Sequence, residues 1–389
     1  MPDRFAQGAP VDRGRAVSRP EASRLAPEGQ GVATFLVVTV RLRATLDALP
    51  AYVPGRSLPN AIKLASNETP YDPLPHVVER IGQAAGRINR YPDNDATALT
   101  EAIADLRGAT PDRVVVGCGS VSLCQQLVQV ACEPGDEVMF AWRSFEAYPI
   151  VTVVGGGTAA PVPLRDAVHD LDAMAAAVTD RTRLILVCNP NNPTGTVVRR
   201  AELEEFLRQV PSNVLVALDE AYREFVTDPD SPDGLELLAA HPNLIVLRTF
   251  SKAYGLAGLR VGYGIAADPA VAAALRQVQV PFAVTGLAQA AALASLEPEA
   301  ERQLAARVAE IVRERDRVRA ALAADGWATP PAQGNFVWLA LGARSREAAA
   351  TLQERGVLVR PLGDDGVRVT IGAPAENDKF LTALSAVPK

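Results

Sequence analysis

The 389-residue chain is long enough to bury a large core and to divide into two domains. Its 48% hydrophobic and 22% charged residues are ordinary for a globular protein, and a net charge of −6 without any lysine or arginine run argues against a general nucleic-acid binder. Three scattered histidines, His76, His169 and His241, and four cysteines without paired spacing, Cys118, Cys124, Cys132 and Cys188, argue against a metal site and read as a bland set with free thiols.

Residues 1–37 are rich in Pro, Gly, Arg and Glu with little apolar periodicity. They are expected to form a disordered arm or, with Val38 as a candidate initiator, a stretch the cell does not translate. No apolar run is long enough to span a membrane. Gly31 to Val40 comes nearest to a signal segment, but Arg41 and Arg43 follow it in place of a small-residue cleavage site, so the expected location is the cytoplasm.

Residues 38–65 are expected to pack with a small C-terminal domain. From about Arg90 onward, β-branched runs at Val114–Val116, Glu137–Ala141, Leu184–Cys188, Val214–Leu218 and Leu244–Leu247 alternate with helical stretches such as Leu123–Ala131 and Ala201–Gln209. That alternation predicts an α/β fold: a large domain over 66–284 with a mostly parallel central sheet flanked by helices. After Pro281 an Ala-, Arg- and Glu-rich helical stretch, Leu287 to Asp325, leads into short strands near Asn335–Leu341, Val357–Val359 and Val367–Ile371. This predicts a smaller α+β domain over 285–389.

Ligands of parallel sheets bind beyond the carboxyl ends of strands, and the informative motifs fall at those ends. Gly117-Cys118-Gly119-Ser120-Val121 carries a strand into a helix whose first N–H groups, from Ser120 and Val121, can cradle a phosphate. A dinucleotide site is the usual reading of Gly-x-Gly, but the third glycine and the acidic end of the next strand are missing. That next strand runs to Phe145, placed to stack on a ring or to fill core. Asn189-Pro190-Asn191-Asn192-Pro193-Thr194-Gly195 forms a rigid turn after the following strand. Asp219 then ends an all-apolar strand, where a carboxylate is costly unless a cation meets it, and a protonated pyridine nitrogen would be such a partner. Tyr222 and Asn192 could reach a hydroxyl on the same ring. Finally Ser251-Lys252, with Arg260 eight residues on, combines an amine able to form a Schiff base with an aldehyde and two groups able to anchor a phosphate. Together they outline a pyridoxal phosphate site.

These motifs, with Lys63-Leu64-Ala65-Ser66-Asn67-Glu68 and Arg90-Tyr91-Pro92-Asp93, resemble the fold-type-I pyridoxal phosphate aminotransferases and, more narrowly, the histidinol-phosphate aminotransferase family. The resemblance runs from about Val38 to the C-terminus. It implies pyridoxal 5′-phosphate as cofactor, with Lys252 as Schiff-base lysine and proton shuttle, Asp219 at the pyridine nitrogen, and Asn192 and Tyr222 at the ring oxygen. It further implies that Ser120, Val121, Ser251 and Arg260 hold the phosphate. Tyr91 would reach the cofactor of a neighbouring subunit in a homodimer. Arg368 matches the family's substrate-anion arginine and Arg360 one associated with the substrate's distal group; Asn67 and Tyr52 are expected to line the substrate entrance.

Within that family, the runs Gly117 to Gln126 and Phe140 to Tyr148 look like the actinobacterial aromatic amino acid aminotransferases. Val121-Ser122 and Arg143-Ser144 stand where the histidinol-phosphate enzymes usually carry an acidic or amide pair and Pro-Thr. The resemblance implies transamination between phenylalanine, tyrosine or tryptophan and a 2-oxo acid such as 2-oxoglutarate. Histidinol phosphate is the alternative donor, since both arginines able to hold its phosphate are present.

Overall fold

Strand-forming residues gather into twelve strands in the computed structural model, which describes Val40, residues 42–46, Leu49 and residues 58–389. The expectations for residues 1–37 and for Tyr52 lie outside the described residues. In chain order the strands are β1 (Ile62–Lys63), β2 (Val114–Gly117), β3 (Glu137–Trp142), β4 (Thr158–Pro163), β5 (Thr182–Cys188) and β6 (Leu215–Asp219). They continue with β7 (Leu244–Thr249), β8 (Gly262–Ala266), β9 (Phe336–Leu339), β10 (Val357–Leu358), β11 (Arg360–Leu362) and β12 (Gly366–Thr370).

Seven of them form one sheet in the order β2-β8-β7-β6-β5-β3-β4. All its neighbouring pairs are parallel except the two that β8 makes, with β2 and with β7. Because β8 is reversed against both, β2 and β7 run the same way, and the carboxyl ends of β2, β3, β5, β6 and β7 share one edge. The mostly parallel α/β sheet foreseen from the alternating pattern is therefore the fold.

Side chains alternate between the two faces of a strand, and both faces are apolar here. Val114, Val116, Ile185, Val187, Val216, Leu218, Leu244 and Val246 point into one core, with the helix Thr97–Arg107 and the helix Gly286–Ser295. Val115, Val138, Phe140, Leu184, Leu186, Ala217, Ile245 and Leu247 point into another, with the helix Ser120–Ala131 and the helix Ala147–Gly155. Each fully buried valine, leucine, isoleucine or phenylalanine among them contributes about 1.5–3 kcal/mol relative to exposure.

A three-stranded antiparallel sheet, β11-β12-β9, packs over a third core that includes Leu64, Tyr222, Phe225, Phe336, Val369 and Phe380. The N-terminal segment joins this part: β1 pairs in parallel with β10, Ile62 opposite Val357. The helical stretch expected over 287–325 is two helices, Gly286–Ser295 and Pro298–Ala324. Pro298 opens the second, where a missing N–H costs nothing and the preceding residue is pushed out of helical geometry. β4 and β8 did not stand out in the sequence. The first is an exposed edge strand containing Pro161 and Pro163, the second a glycine-rich one.

Candidate functional site

The loops after β2, β3, β5, β6 and β7 converge on a cavity of about 150 Å³. Its lining includes Ser120, Val121, Phe145, Asn192, Asp219, Tyr222, Ser251, Lys252, Arg260, Arg360 and Arg368, so the structure brings together eleven residues singled out from six separate stretches of sequence.

At one end lies the N-terminus of the helix Ser120–Ala131. Gly119 precedes it at φ +75°, a conformation that favours glycine, and no side chain caps the helix. Its first N–H groups lack intrahelical acceptors and carry the positive end of the helix dipole, which suits an anion. Gly262 of β8 passes directly beneath: a Cβ there would lie 2.6 Å from the Ser120 nitrogen, so only glycine permits this approach. The reversal from β7 into β8 also returns Arg260 to Ser251, and Arg260 Nη1 donates to Ser251 Oγ at 3.4 Å. A hairpin-like return thus explains why a serine and an arginine nine positions apart meet at one anion-sized space.

Deeper in the cavity, Asp219 sits at the end of β6 between Cys188 and Leu247 of its neighbours. It is buried, and the Tyr148 hydroxyl donates to its Oδ2 at 2.8 Å. Oδ1 has no hydrogen-bond partner among the described residues. Burial pushes its carboxyl up to about 6, against the opposing pull of the Tyr148 hydroxyl, the Ala221 backbone N–H and the Lys252 charge. An acid buried with one oxygen unanswered is a receptor for an N–H, and a protonated ring nitrogen fits it.

Tyr148 was not legible as a functional residue. It lies fully buried in an apolar helix, stacked edge-on with Phe145 at 5.6 Å between ring centroids, and from sequence it reads as core.

Lys252 enters from the loop after β7, and its Nζ donates to the Ser66 carbonyl at 3.1 Å. Burial, reinforced by the nearby Arg368 charge, pulls its amine down to about 7. A substantial fraction is therefore uncharged near neutrality, and an uncharged amine is nucleophilic and able to accept a proton.

The Asn189–Gly195 turn divides its labour. Asn189 Oδ1 accepts from the Val198 N–H, and Asn191 bonds Ser144, Thr194 and the Arg143 carbonyl. Asn192 faces the cavity, where its Oδ1 accepts from Arg368 Nη1 at 2.6 Å. Arg368 also donates to the Ala65 carbonyl at 2.8 Å. Arg360 stands directly opposite Arg368 in the β11–β12 ladder.

Asn67, expected at the substrate entrance, is instead fully buried. Its Nδ2 donates to the Tyr222 hydroxyl at 3.0 Å and its Oδ1 accepts from the Thr370 hydroxyl at 3.0 Å. An asparagine held by two side chains in the interior orients Tyr222 from behind. Tyr91 is not brought to the cavity either. It is 82% exposed and stacks on Phe282 with ring centroids 4.5 Å apart.

The family model for aminotransferase class I and II matches residues 59–384. An aromatic amino acid aminotransferase of Rhodococcus jostii is 60% identical over 345 residues, covering 88% of this chain and 95% of that protein. One from Thermobifida fusca is 55% identical over 352 residues, covering 90% and 97%. Among solved structures, histidinol-phosphate aminotransferase from Sinorhizobium meliloti in complex with pyridoxal-5′-phosphate superposes with a TM-score of 0.80 at 30% identity, covering 90% of this chain and 98% of that one. An uncapped helix N-terminus beside a serine and an arginine, a buried acid with one unanswered oxygen, and a lysine of lowered pKa suit such a cofactor. The chain belongs to the class I and II aminotransferases, enzymes that transfer amino groups with pyridoxal 5′-phosphate.

Proposed function

We propose that this aminotransferase moves the amino group between aromatic L-amino acids and a 2-oxo acid such as 2-oxoglutarate. The observation that carries the donor is the near-full-length similarity, at 55–60% identity, to proteins named aromatic amino acid aminotransferase. Histidinol phosphate is the weaker reading, supported by solved structures of 30% identity or less. Steady-state assays with phenylalanine, tyrosine, tryptophan and histidinol phosphate, each with 2-oxoglutarate, test it. Formation of the aromatic keto acids at far higher kcat/KM than the histidinol phosphate product supports the aromatic reading, and the reverse order rejects it.

The cavity's lining supports a role for each residue. The Ser120 and Val121 N–H groups, the Ser251 hydroxyl and the Arg260 guanidinium would hold the cofactor's phosphate. Phe145 would cover one face of its ring, Asn192 and Tyr222 would bond its ring oxygen, and Asp219 Oδ1 would accept from its ring nitrogen. The bound cofactor supplies an aldehyde that captures the substrate amine and a ring that takes up electron density from Cα. Lys252, part of it uncharged near neutral pH, would take the proton from the substrate Cα and return it to the cofactor's aldehyde carbon. Arg368 binds the substrate carboxylate; its existing bonds to Asn192 and Ala65 fix the guanidinium before substrate arrives. Asn67 holds the Tyr222 hydroxyl in place, so that ring contact is preorganised rather than found by rotation.

Tyr148 holds Asp219 in position. Tyr148→Phe removes one hydrogen bond to a charged acceptor, a loss of about 1.5–3 kcal/mol, and is expected to lower kcat by about ten- to a hundredfold. Wild-type kcat in that variant would remove Tyr148 from the mechanism.

The residue ranges 66–284 and 285–389 are read as large and small domains with separate cores, although the helix Gly286–Ser295 packs into the core of the seven-stranded sheet. The enzyme is further read as a cytoplasmic homodimer. Among the described residues no helix is long and apolar enough to cross a membrane. Tyr91 and Phe282 stand on a groove of about 1190 Å³ whose lining includes Ile88, Leu287, Ala290 and Leu293, an apolar face suited to a second copy. From there Tyr91 would reach the partner's cofactor phosphate.

A further inference from the structure

Arg360 reaches the cavity already engaged. Its Nε donates to Glu146 Oε2 at 3.2 Å, and its Nη2 donates to Oε1 at 3.2 Å and Oε2 at 3.0 Å. The pairing is the parallel, two-pronged arrangement that fixes both partners. Glu146 lies just before the helix Ala147–Gly155, immediately after Phe145, and both members of the pair line the cavity. They are 214 residues apart in sequence, so nothing local announces the contact.

Arg360 and Arg368 are direct cross-strand neighbours, a placement that is unfavourable for two like charges without compensation. Arg368 is turned toward Asn192 and the Ala65 carbonyl. Glu146 offsets the second charge. A companion ion pair, Arg143 with Asp365, ties the same Trp142–Glu146 run to the turn between β11 and β12. The cavity therefore presents one arginine for a carboxylate and one whose charge is already matched by an internal acid.

We propose that Glu146 is a specificity-determining residue, selecting uncharged side chains by occupying Arg360 and repelling a second anion. A substrate ending in a phosphate or carboxylate would have to displace the Glu146 carboxylate or lie against it. A like-charge contact of this kind is unfavourable, more so when dry than beside a partly exposed pair. A neutral aromatic ring meets no such penalty and gains the apolar surface of Phe145. The inference rests on the aromatic reading above and deepens it, naming the group that rejects the anionic alternative.

The test compares cofactor-loaded wild type with Glu146→Gln and with the double variant Glu146→Gln/Arg360→Gln. Single-turnover kcat/KM is read for phenylalanine and for histidinol phosphate. Glu146→Gln is close in shape and is expected to raise the ratio of histidinol phosphate to phenylalanine by about tenfold, through a lower KM for the phosphorylated amine. Glu146→Asp, which keeps the charge, should stay near the wild-type ratio, and the double variant should lose the gain. Glu146→Ser carries the same expectation as the glutamine variant and serves if that variant fails to load cofactor. An unmoved ratio in a variant that still converts phenylalanine overturns the proposal, as does a gain that survives removal of Arg360. Wild type that already prefers histidinol phosphate would overturn the aromatic reading itself, a different outcome from an unmoved ratio in a phenylalanine-preferring enzyme.

Discussion

Lys252→Ala is expected to lower turnover of phenylalanine with 2-oxoglutarate by about 10⁴-fold or more while the purified variant still carries cofactor. Lys252 is the one lysine among the described residues lining the cavity, so no neighbouring amine can stand in for it. General acid–base catalysis alone accounts for about 10²–10⁴-fold, and the covalent attachment made by the same amine adds to that. The phosphate cradle, the Asp219 carboxylate and Phe145 are untouched by the substitution, which is why cofactor should remain. The check is paired: turnover rate, and cofactor content after release in base. Turnover within tenfold of wild type would contradict the assignment of Lys252.

Asp219→Ala is expected to cost about 10²–10³-fold in kcat, the usual effect of removing one preorganised charge from where charge develops. The fold should survive, because β6 is held by backbone pairing to β5 and β7 and by Val216 and Leu218 beneath it. Asp219→Asn keeps the shape without the charge and should be nearly as slow; an unchanged rate in both variants would remove Asp219 from the site. The same residue makes a statement about pH. Its carboxyl is raised to about 6 in the protein alone, so between its ordinary value and that one the folded state holds a proton the unfolded chain has released. Apoprotein stability contributed by this group is therefore present at low pH and lost as pH rises toward about 6, whereas a ring-nitrogen partner at Oδ1 offsets the loss. Melting-temperature profiles of apo and loaded enzyme should diverge as pH rises through that window, and the divergence should shrink in Asp219→Asn.

The chemistry was more legible than the frame around it, for physical reasons. Asp219 announced itself because a carboxylate after Leu215-Val216-Ala217-Leu218 demands a partner, and its unanswered Oδ1 is that demand in three dimensions. The strand-end placement of Ser120, Asn192 and Lys252 followed from the alternation of β-branched runs and helices. What escaped were features without a local signal. β8, Gly262 to Ala266, has glycines where a Cβ would meet the Ser120 nitrogen, at Gly262, and the Ile245, Leu247 and Val115 side chains of neighbouring strands, at Gly264, so it lacks the look of a strand. Tyr148 looks like any buried aromatic until its hydroxyl is seen on Asp219. Asn67 was expected at the substrate entrance from the resemblance of its motif alone. Its real position follows from β1 pairing with β10, which carries the segment inward to Thr370 and Tyr222. Arg360 was singled out from the sequence, but nothing there pointed to its partner Glu146, 214 residues away.

The most direct test of the account is a single-turnover reaction of loaded enzyme with phenylalanine and, separately, with histidinol phosphate, following the change in cofactor absorbance. Rapid, complete conversion by phenylalanine with slow conversion by histidinol phosphate at the same concentration is the result predicted here. Rapid conversion by histidinol phosphate, with phenylalanine slow or inert, would contradict the aromatic assignment and leave the chain as a histidinol-phosphate aminotransferase.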